Sequence, residues 1–575
     1  MSPKATASKK SVKKVPAKKA AAKKPAAKKP RKSTAASNGR MTPPSKGVKV
    51  RMYRTGLGDC FLLAFRKGRS TRDAFYLMID CGVYFKTPEP GNVTRIKEIV
   101  ENIRDATGGR LDVLVITHEH WDHVSGFHPT QAQKLFADEI KLGELWMAWT
   151  EDLRISLARD LHEGRVAARN ALAQALTRMQ GFGAQSATAE LVGKMLDFFG
   201  PPVEAQASAG MGAAGGNVFG AKKSVQTEES MEWLRDTYGK DRTRFLKPGE
   251  DTLSLSGVSG VRVYVLGPPE DSVLIKRTDP SGDEVYPKAM AAAVEASFFA
   301  ACGAMPESHD SVPTSDDLRE ARSMSIPFDD VYQIPFVKVQ KAAEAGDTVG
   351  AAAEPLFRGY FDSKDKWRRV DGDWLEAAGE FALQLDNATN NTSLALAIEV
   401  GPPGEGKILL FPGDAQVGNW RSWFGKVKLG QRELGKDMVW RAGDRKVTAE
   451  DLLRRTVLYK VGHHGSHNAT LRQQGLELMG RSDGTAELVA FLPVDEHVAR
   501  DLAHYGEMPL RSLVKELAIR TGGRIVRNDE GATPKDAEST LAPIEGAPRI
   551  RSSKSFLDAS TDLYFEYTVT PPATA

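Results

Sequence analysis

The 575-residue chain has few cysteines, no long apolar run and, over its first 46 residues, no acidic residue. Its three cysteines, Cys60, Cys81 and Cys302, are widely spaced and odd in number, which argues against a disulfide framework or a thiolate zinc site. No stretch approaches the roughly eighteen apolar residues of a membrane helix, and no apolar segment follows the basic N-terminus. We therefore expect a cytoplasmic protein that is neither secreted nor bound in a membrane.

The basic residues are distributed unevenly. Residues 1–46 hold fifteen of the 79 Lys and Arg residues, so that residues 47–575 carry 64 basic against 74 acidic residues, a net charge of −10. Lys-Lys pairs separated by Ala and Pro cannot bury a core and repel one another, which predicts a disordered tail. Three interpretations stay open: the tail contacts nucleic acid by neutralising phosphates, it is a solubilising extension, or it consists of residues upstream of a true start at Met41.

Beyond residue 47 the pattern changes to short apolar strands alternating with helices. The segment Thr448–Asp451 is typical of a capping box at a helix start. Helices are predicted at 93–107 and 509–520, and strands at 48–53, 60–65, 75–79, 111–117, 261–269, 393–400, 407–411, 457–461, 487–494, 523–528 and 562–570.

The organisation predicted after the tail has three parts. Residues 47–127 and 386–575 are the two halves of one α/β fold, and residues 128–385 are an insertion. Within the insertion, apolar residues recur at helical intervals from Leu153 to Met179 and follow the pair Trp146 and Trp149. This predicts a helical subdomain whose apolar stripe is part of a core, with a binding groove as the alternative. A Gly/Ala-rich loop (208–220) follows, and the strand near 261–269 rejoins the sheet.

The residues best suited to chemistry lie in THEHWDHVSG (117–126), directly after the predicted strand 111–117. Three imidazoles and a carboxylate within six residues form a ligand set for Zn²⁺, and also for Mn²⁺ or Fe²⁺. A structural zinc site usually contains cysteine, so this one favours a catalytic site with a position open to water. The alternative, a histidine-rich surface loop, rarely meets this spacing by chance. The four candidate ligands are His118, His120, Asp122 and His123.

A second histidine cluster supports this interpretation. Seven of the eleven histidines lie in two short segments, the first extending to His128 and the second being KVGHHGSHNAT (460–470). Because adjacent side chains diverge, we expect only one of His463 and His464 to bind a metal. In TGLGDC (55–60), Asp59 is either near the metals or part of an ordinary hairpin turn.

The pattern HxHxDH after a strand resembles the signature of the metallo-β-lactamase superfamily. Together with TGLGDC, NNTSLAL, LFPGD and VGHHGSH, it resembles the metallo-hydrolase domain of ComEC-type DNA-uptake proteins over residues 48–127 and 385–530. The resemblance implies a four-layer αββα sandwich with two divalent ions. It implies that His118 and His120 hold one ion, that Asp122, His123 and His464 hold the other, that Asp414 bridges them, and that Asp80 supports the metal loop.

The chain departs from the superfamily pattern in one loop. Many members place a histidine before the strand that leads to the GD motif, whereas residues 387–393 read NATNNTS. Asn391 is the candidate for that position, either as a weak amide-oxygen ligand or as a residue that satisfies the backbone at the start of a strand. We therefore expect the site of His118 and His120 to bind its metal more weakly.

These patterns predict a hydrolase in which two divalent ions, zinc in the first instance, activate a water molecule. Asp122 or His463 is expected to move protons. The resemblance and the basic tail favour a phosphodiesterase or nuclease. The acidic body favours the alternative, hydrolysis of a small molecule such as a cyclic nucleotide, ester or lactone. A binding protein with a vestigial site is the third interpretation, and the sequence predicts no oligomeric state.

Overall fold

The computed structural model describes residues 39–70, 73–84, 92–181, 187–200, 226–249, 251–278, 376–429, 432–436, 438–480, 487–503, 505, 507–530 and 544–572. The predictions for residues 1–38 and for the Gly/Ala-rich loop at 208–220 lie outside these residues. Within the described part of the chain, every helix is too short or too polar to cross a membrane.

Two mixed β-sheets form the centre of the structure. The larger sheet contains, in spatial order, β17 (Ala559–Ser560), β18 (Tyr564–Val569), β1 (Val48–Tyr53), β2 (Phe61–Arg66), β3 (Ala74–Ile79), β4 (Arg110–Val115), β5 (Lys141–Ala148) and β6 (Thr243–Leu246). The smaller sheet contains β16 (Ile525–Arg527), β15 (Val489–Leu492), β14 (Thr456–Lys460), β9 (Lys407–Phe411), β8 (Ala395–Val400) and β7 (Val261–Gly267). Two separate hairpins pair β10 (Val427–Leu429) with β11 (Arg432–Leu434) and β12 (Trp440–Ala442) with β13 (Arg445–Val447).

The helices of the described residues range from one turn to seven. They are α1 (Asn92–Thr107), α2 (Trp121–Val124), α3 (Gln133–Glu139), α4 (Ser156–Gly181), α5 (Ala187–Asp197), α6 (Gln226–Arg242), α7 (Ser272–Lys276), α8 (Glu376–Asn390), α9 (Val417–Ser422), α10 (Ala449–Arg454) and α11 (Arg511–Thr521). Helix α10 begins with the predicted capping box, in which Thr448 and Asp451 exchange side-chain and backbone hydrogen bonds.

The two sheets pack against each other through one shared apolar core. On β2, Phe61, Leu63 and Phe65 belong to this core, whereas Leu62 and Ala64 belong to a second core on the opposite face of the sheet. Helices α1, α3 and α6 contribute to that second core, and α9, α10 and α11 pack on the outer face of the smaller sheet. Strands buried on both faces are apolar throughout, which is why the sequence shows continuous apolar runs. The predicted α/β class, with mixed sheets and helices, is confirmed.

Two predicted boundaries need correction. The segment 128–385 is not wholly an insertion, because β5 and β6 extend the larger sheet. The strand predicted near 261–269 is present as β7, which pairs with β8 in the smaller sheet. Trp146 lies on β5 in the shared core, and Leu153, 38% exposed, precedes α4 instead of joining its apolar stripe. The predicted tail is also too long, because Met41 is buried and its carbonyl accepts a hydrogen bond from Tyr76.

Helices α4, α5 and α8 form a separate apolar cluster.

Candidate metal centre

The predicted site residues follow the carboxyl ends of strands in both sheets. Strands β3 and β4 are parallel neighbours, and Asp80 and the segment 117–123 come directly after them. Strands β9 and β14 are parallel neighbours in the other sheet, and lead to Asp414 and His464. Because parallel strands end at a common sheet edge, these four segments meet in one buried cluster.

One half of the cluster has a nearly complete set of donors, and we call it the four-donor side. Asp122, His123, Asp414 and His464 each present one donor atom, all within 4.8 Å of one another. The Nε2 atom of His464 lies 2.7 Å from Oδ2 of Asp122, and Nε2 of His123 lies 3.2 Å from Oδ2 of Asp414. All four residues are buried. This composition suits a divalent ion with nitrogen and oxygen ligands.

The other half contains two imidazoles, and we call it the two-histidine side. The Nε2 atom of His118 lies 3.1 Å from Nδ1 of His120, so that the two nitrogens point toward the same space. The other nitrogen of His118 lies 3.1 Å from Oγ1 of Thr117. The other nitrogen of His120, Nε2, is buried and has no hydrogen-bond partner.

Asp80 holds the loop that carries both histidines. Its Oδ1 accepts a hydrogen bond from the backbone N–H of Thr117, and its Oδ2 accepts one from the Thr117 hydroxyl and lies 2.8 Å from Nδ1 of His123. Both oxygens are thus engaged, which makes Asp80 a positioning residue. The following turn is tight, because a Cβ at Gly82 would lie 2.0 Å from the Asp122 carbonyl oxygen.

The four-donor side contains a buried lysine that the sequence pattern did not single out. The Nζ atom of Lys460 lies 2.8 Å from Oδ1 of Asp414 and 2.5 Å from Oδ2 of Asp59, and donates to the carbonyl of Gly413. Asp59 is therefore close to the centre, but its Oδ2 pairs with the ammonium group. The carboxylates of Asp59 and Asp80 could hold an ion with His123 on distance alone. The cation already present makes a third metal there unfavourable.

His463 lies beside the four-donor side and outside its donor group. Its backbone N–H donates to Oδ1 of Asp414, and its Nδ1 lies 2.9 Å from the hydroxyl of Ser466. Its Nε2 lies 3.5 Å from Nδ2 of Asn390. The structure therefore gives the two adjacent histidines different surroundings, with His464 facing Asp122 and His463 facing polar side chains.

The backbone is strained at the centre. Among the described residues, the non-glycine residues with positive φ are Asp80 at 54°, His463 at 43° and His464 at 51°. Such conformations are costly for residues with a Cβ and collect at functional sites. The fold therefore maintains an unfavourable backbone where three predicted site residues lie.

The pKa values differ between the two sides. Burial lowers the pKa of His118 well below its usual range and that of His120 to about 4. Burial also opposes the charged form of His123, but Asp414 and Asp122 outweigh it and raise its pKa well above the usual range. The two-histidine side therefore presents neutral imidazoles, whereas an ion binding at the four-donor side must displace a proton.

Glu119, between His118 and His120, ties the loop 117–123 to helices α4 and α6. Its Oε1 accepts hydrogen bonds from Arg169 (2.7 Å) and from the hydroxyl of Thr227, and Arg165 lies 3.5 Å from its Oε2. Burial opposes ionisation of Glu119, but Arg169 and Arg165 lower its pKa to about 2. This buried ion pair anchors the loop to helices that lie outside the two sheets.

Two residues singled out in the sequence do not join the centre. Asn391 is a backbone-satisfying residue, because its Nδ2 donates to the carbonyl of Ile275 and its Oδ1 accepts from the N–H of Asn419. Its candidacy as an amide-oxygen ligand is wrong, since both amide atoms are already used. His128 points away, with its Nε2 2.9 Å from the Glu229 carboxylate.

Aromatic rings enclose the two-histidine side, and we call them the aromatic cover. The ring of His120 lies 5.4 Å from that of Phe198 and 5.2 Å from that of Phe199. Phe198 stacks on Tyr505 at 5.0 Å, and the hydroxyl of Tyr505 donates to that of Tyr84. The candidate ligands are at most 1% exposed, and His463 is 6% exposed. Among the described residues, the centre is therefore closed to solvent.

The donors fit divalent metal ions. Buried oxygens of Asp59, Asp122 and Asp386 have no hydrogen-bond partner, and neither has Nε2 of His120. Unpaired buried polar atoms are costly and indicate a ligand that satisfies them. The buried His and Asp groups can thus hold metal.

The sequence did not predict Asp386, Lys460 or the aromatic cover, because each joins the centre only through tertiary packing.

Comparison with protein-family profiles gave no match to this chain, and comparison with curated protein sequences gave none either. The interpretation of the centre therefore depends on its own residues and their geometry.

Proposed function

We propose that this protein is a metal-dependent hydrolase of the metallo-β-lactamase type that cleaves phosphodiester bonds, with nucleic acid as the substrate class. The observation that carries the proposal is the convergence of six candidate ligands, from three separate segments, in one buried cluster. The proposed architecture is the four-layer αββα sandwich, with the centre at the sheet edge. Two face-to-face sheets with helices outside support it.

Two divalent ions, zinc first and manganese or iron as alternatives, would supply Lewis acidity and activate a water molecule for attack. His118 and His120 would hold one ion, and Asp122, His123 and His464 the other. Asp414 belongs to the four-donor side, and Lys460 neutralises part of its charge. The lysine thereby limits the repulsion between Asp414 and the neighbouring carboxylates.

Two side chains would move protons in the proposed reaction. Asp122 has Oδ2 engaged by His464, while its Oδ1 is free of protein partners and can accept the proton of the attacking water. His463 is neutral at physiological pH, since burial lowers its pKa to about 3. Its Nδ1 is fixed by Ser466, which orients the ring. Asp80 contributes by fixing the ring of His123.

Hydrolysis of a small molecule, such as a cyclic nucleotide, ester or lactone, is the second candidate. The aromatic cover favours it, because a polymer must reach ligands that are at most 1% exposed, and a small substrate needs a narrower opening. The net negative charge of residues 47–575 also disfavours polyanion binding by the body alone.

The test uses the purified full chain loaded with Mn²⁺ or Zn²⁺. Its turnover is measured on single-stranded DNA, duplex DNA, RNA, bis(p-nitrophenyl) phosphate and a lactone. We expect cleavage of nucleic acid and of the small phosphodiester, both abolished in Asp122→Ala and retained in Asp138→Ala, an exposed carboxylate on α3. Lactone turnover without phosphodiester turnover would favour the second candidate. Inactivity toward every substrate would contradict the hydrolase proposal.

The predicted nucleic-acid partner of the basic N-terminal segment is tested separately. Deleting residues 1–38 removes thirteen Lys and Arg residues and keeps Met41, which is buried in the body. If the segment recruits DNA, the deletion should flatten the salt dependence of DNA affinity by about 0.9 for each phosphate that is no longer neutralised. Turnover of bis(p-nitrophenyl) phosphate should stay the same. An unchanged salt slope would make the segment a solubility element.

A further inference from the structure

Each candidate ligand histidine has a second ring nitrogen that does not face the metal site and that needs a hydrogen-bond partner. A metal-binding histidine usually donates its other N–H to a carboxylate, carbonyl or similar acceptor, which fixes the ring and its tautomer. Three of the four satisfy the rule: the Nδ1 atom lies 3.1 Å from Oγ1 of Thr117 in His118, 2.8 Å from Oδ2 of Asp80 in His123, and 2.8 Å from the carbonyl of Pro493 in His464.

His120 is the exception. Its Nδ1 faces Nε2 of His118, so the nitrogen left for an orienting acceptor is Nε2. That atom is buried and has no hydrogen-bond partner, and 3.8 Å away lies Oδ1 of Asp386, which also has none. Two unsatisfied and complementary groups therefore face each other in the protein interior, where each alone is costly.

The side chain of Asp386 is fixed by burial and by a hydrogen bond within its own helix. It lies in the last turns of α8, is 4% exposed, and its Oδ2 accepts a hydrogen bond from Asn390 four residues later. Helix α8 packs against α4 and α5 through a separate apolar cluster. Among the described cationic or imidazole side chains, the one that lies within 4 Å of its carboxylate is His120. A buried carboxylate requires such a partner.

We propose that Asp386 is the positioning residue of His120, accepting a hydrogen bond from its Nε2–H while Nδ1 holds the ion. The inference rests on the proposed metal centre. The ring nitrogens of an imidazole diverge, so an oxygen near Nε2 lies behind the ring, away from the space shared with His118. Moving the carboxylate by roughly 1 Å brings the pair to hydrogen-bonding distance. Helix α8, outside the two sheets, thus tunes the two-histidine side.

The test is zinc affinity of the full chain, measured by competition with a chelator of known affinity. Asp386→Ala should weaken one of the two sites about 10–100-fold and leave the other unchanged. Asp386→Asn keeps an accepting oxygen and should restore most of the affinity. The matched control is Asp197→Asn, a buried carboxylate near Tyr84 in the aromatic cover, which should behave as wild type.

The ways in which the proposal can fail are distinguishable. If the wild-type chain binds two zinc ions and Asp386→Ala binds them with unchanged affinities, the positioning role is overturned and the proposed function stands. If the wild-type chain binds less than one zinc ion, both proposals are overturned. With Co²⁺ in place of zinc, ligand-field bands that change in Asp386→Asn would make the carboxylate a direct ligand and overturn the proposal. If circular dichroism shows that Asp386→Ala does not fold, Asp386→Leu refills the volume without an acceptor and gives the same comparison.

Discussion

The two sides of the candidate metal centre share one loop but differ in their surroundings. The four-donor side takes its ligands from loops that follow β4, β9 and β14, and these strands belong to the sheets that form the main core. The two-histidine side takes His118 and His120 from the same loop after β4, and the ring of His120 packs against Phe198 and Phe199, which lie outside the sheets. One loop after β4 therefore supplies donors to both sides, and the two sides differ in what surrounds these donors: the ends of other strands on one side and aromatic rings on the other.

The largest expected effect separates catalysis from folding. Asp122→Ala removes a donor of the four-donor side, and we expect kcat/KM to fall at least about 10³-fold, equivalent to roughly 4 kcal/mol of transition-state stabilisation. The variant should stay folded, because the apolar cores form without the metals. Paired measurements of turnover and near-UV circular dichroism check this. The double variant His118→Ala/His120→Ala should behave similarly, and full activity in either variant would contradict the assigned roles.

The second prediction concerns the support of the two-histidine side. Arg169→Met leaves Glu119 buried without its closest cation, and should lower the free energy of unfolding by about 3–5 kcal/mol. The double variant Glu119→Gln/Arg169→Met removes both charges and should recover much of the stability. Urea denaturation of the three proteins measures the coupling. Equal stability of Arg169→Met and wild type would mean that the pair does not anchor the loop.

Asn391→His distinguishes a structural role for this position from a metal-binding one. The sequence pattern predicts that a histidine here tightens the weaker metal site. The hydrogen bonds of Asn391 to Ile275 and Asn419 predict instead a decrease of about 1–3 kcal/mol in unfolding free energy, with no gain in metal affinity. Thermal unfolding measures the loss of stability and a zinc titration measures the metal affinity, and a stable variant with a tighter site would contradict the structural role.

The smallest expected effect is a difference in proton release. Protonated His123 is stabilised by Asp414 and Asp122, a contribution present below the unfolded-state pKa of about 6.5 and lost as pH rises through the raised folded pKa. Zinc affinity at the four-donor side should therefore increase with pH near neutrality, and binding should release protons. Burial lowers the pKa of His120 to about 4, so we expect metal binding at the two-histidine side to release few protons. Calorimetry in buffers of different ionisation enthalpy measures both, and equal proton release at the two sites would contradict this difference.

Features that depend on local pattern could be predicted from the sequence. The strand 48–53 and the capping box at Thr448 were located correctly, because apolar runs and cap residues act over a few positions. Asp386 and Lys460 could not be predicted, since they lie in a helix and at a strand end with no local signature. Strand β5 was also missed, because a strand inside a largely helical segment is identified only by the sheet that it joins.

The most direct test of the central claim is the metal content of the native full chain in metal-replete buffer, measured together with the individual affinities. We predict two divalent ions per chain, one bound more tightly than the other, because one side has four donors and the other has two histidines. A value below one ion per chain would contradict the metal centre itself, and two ions of equal affinity would remove the distinction between its two sides.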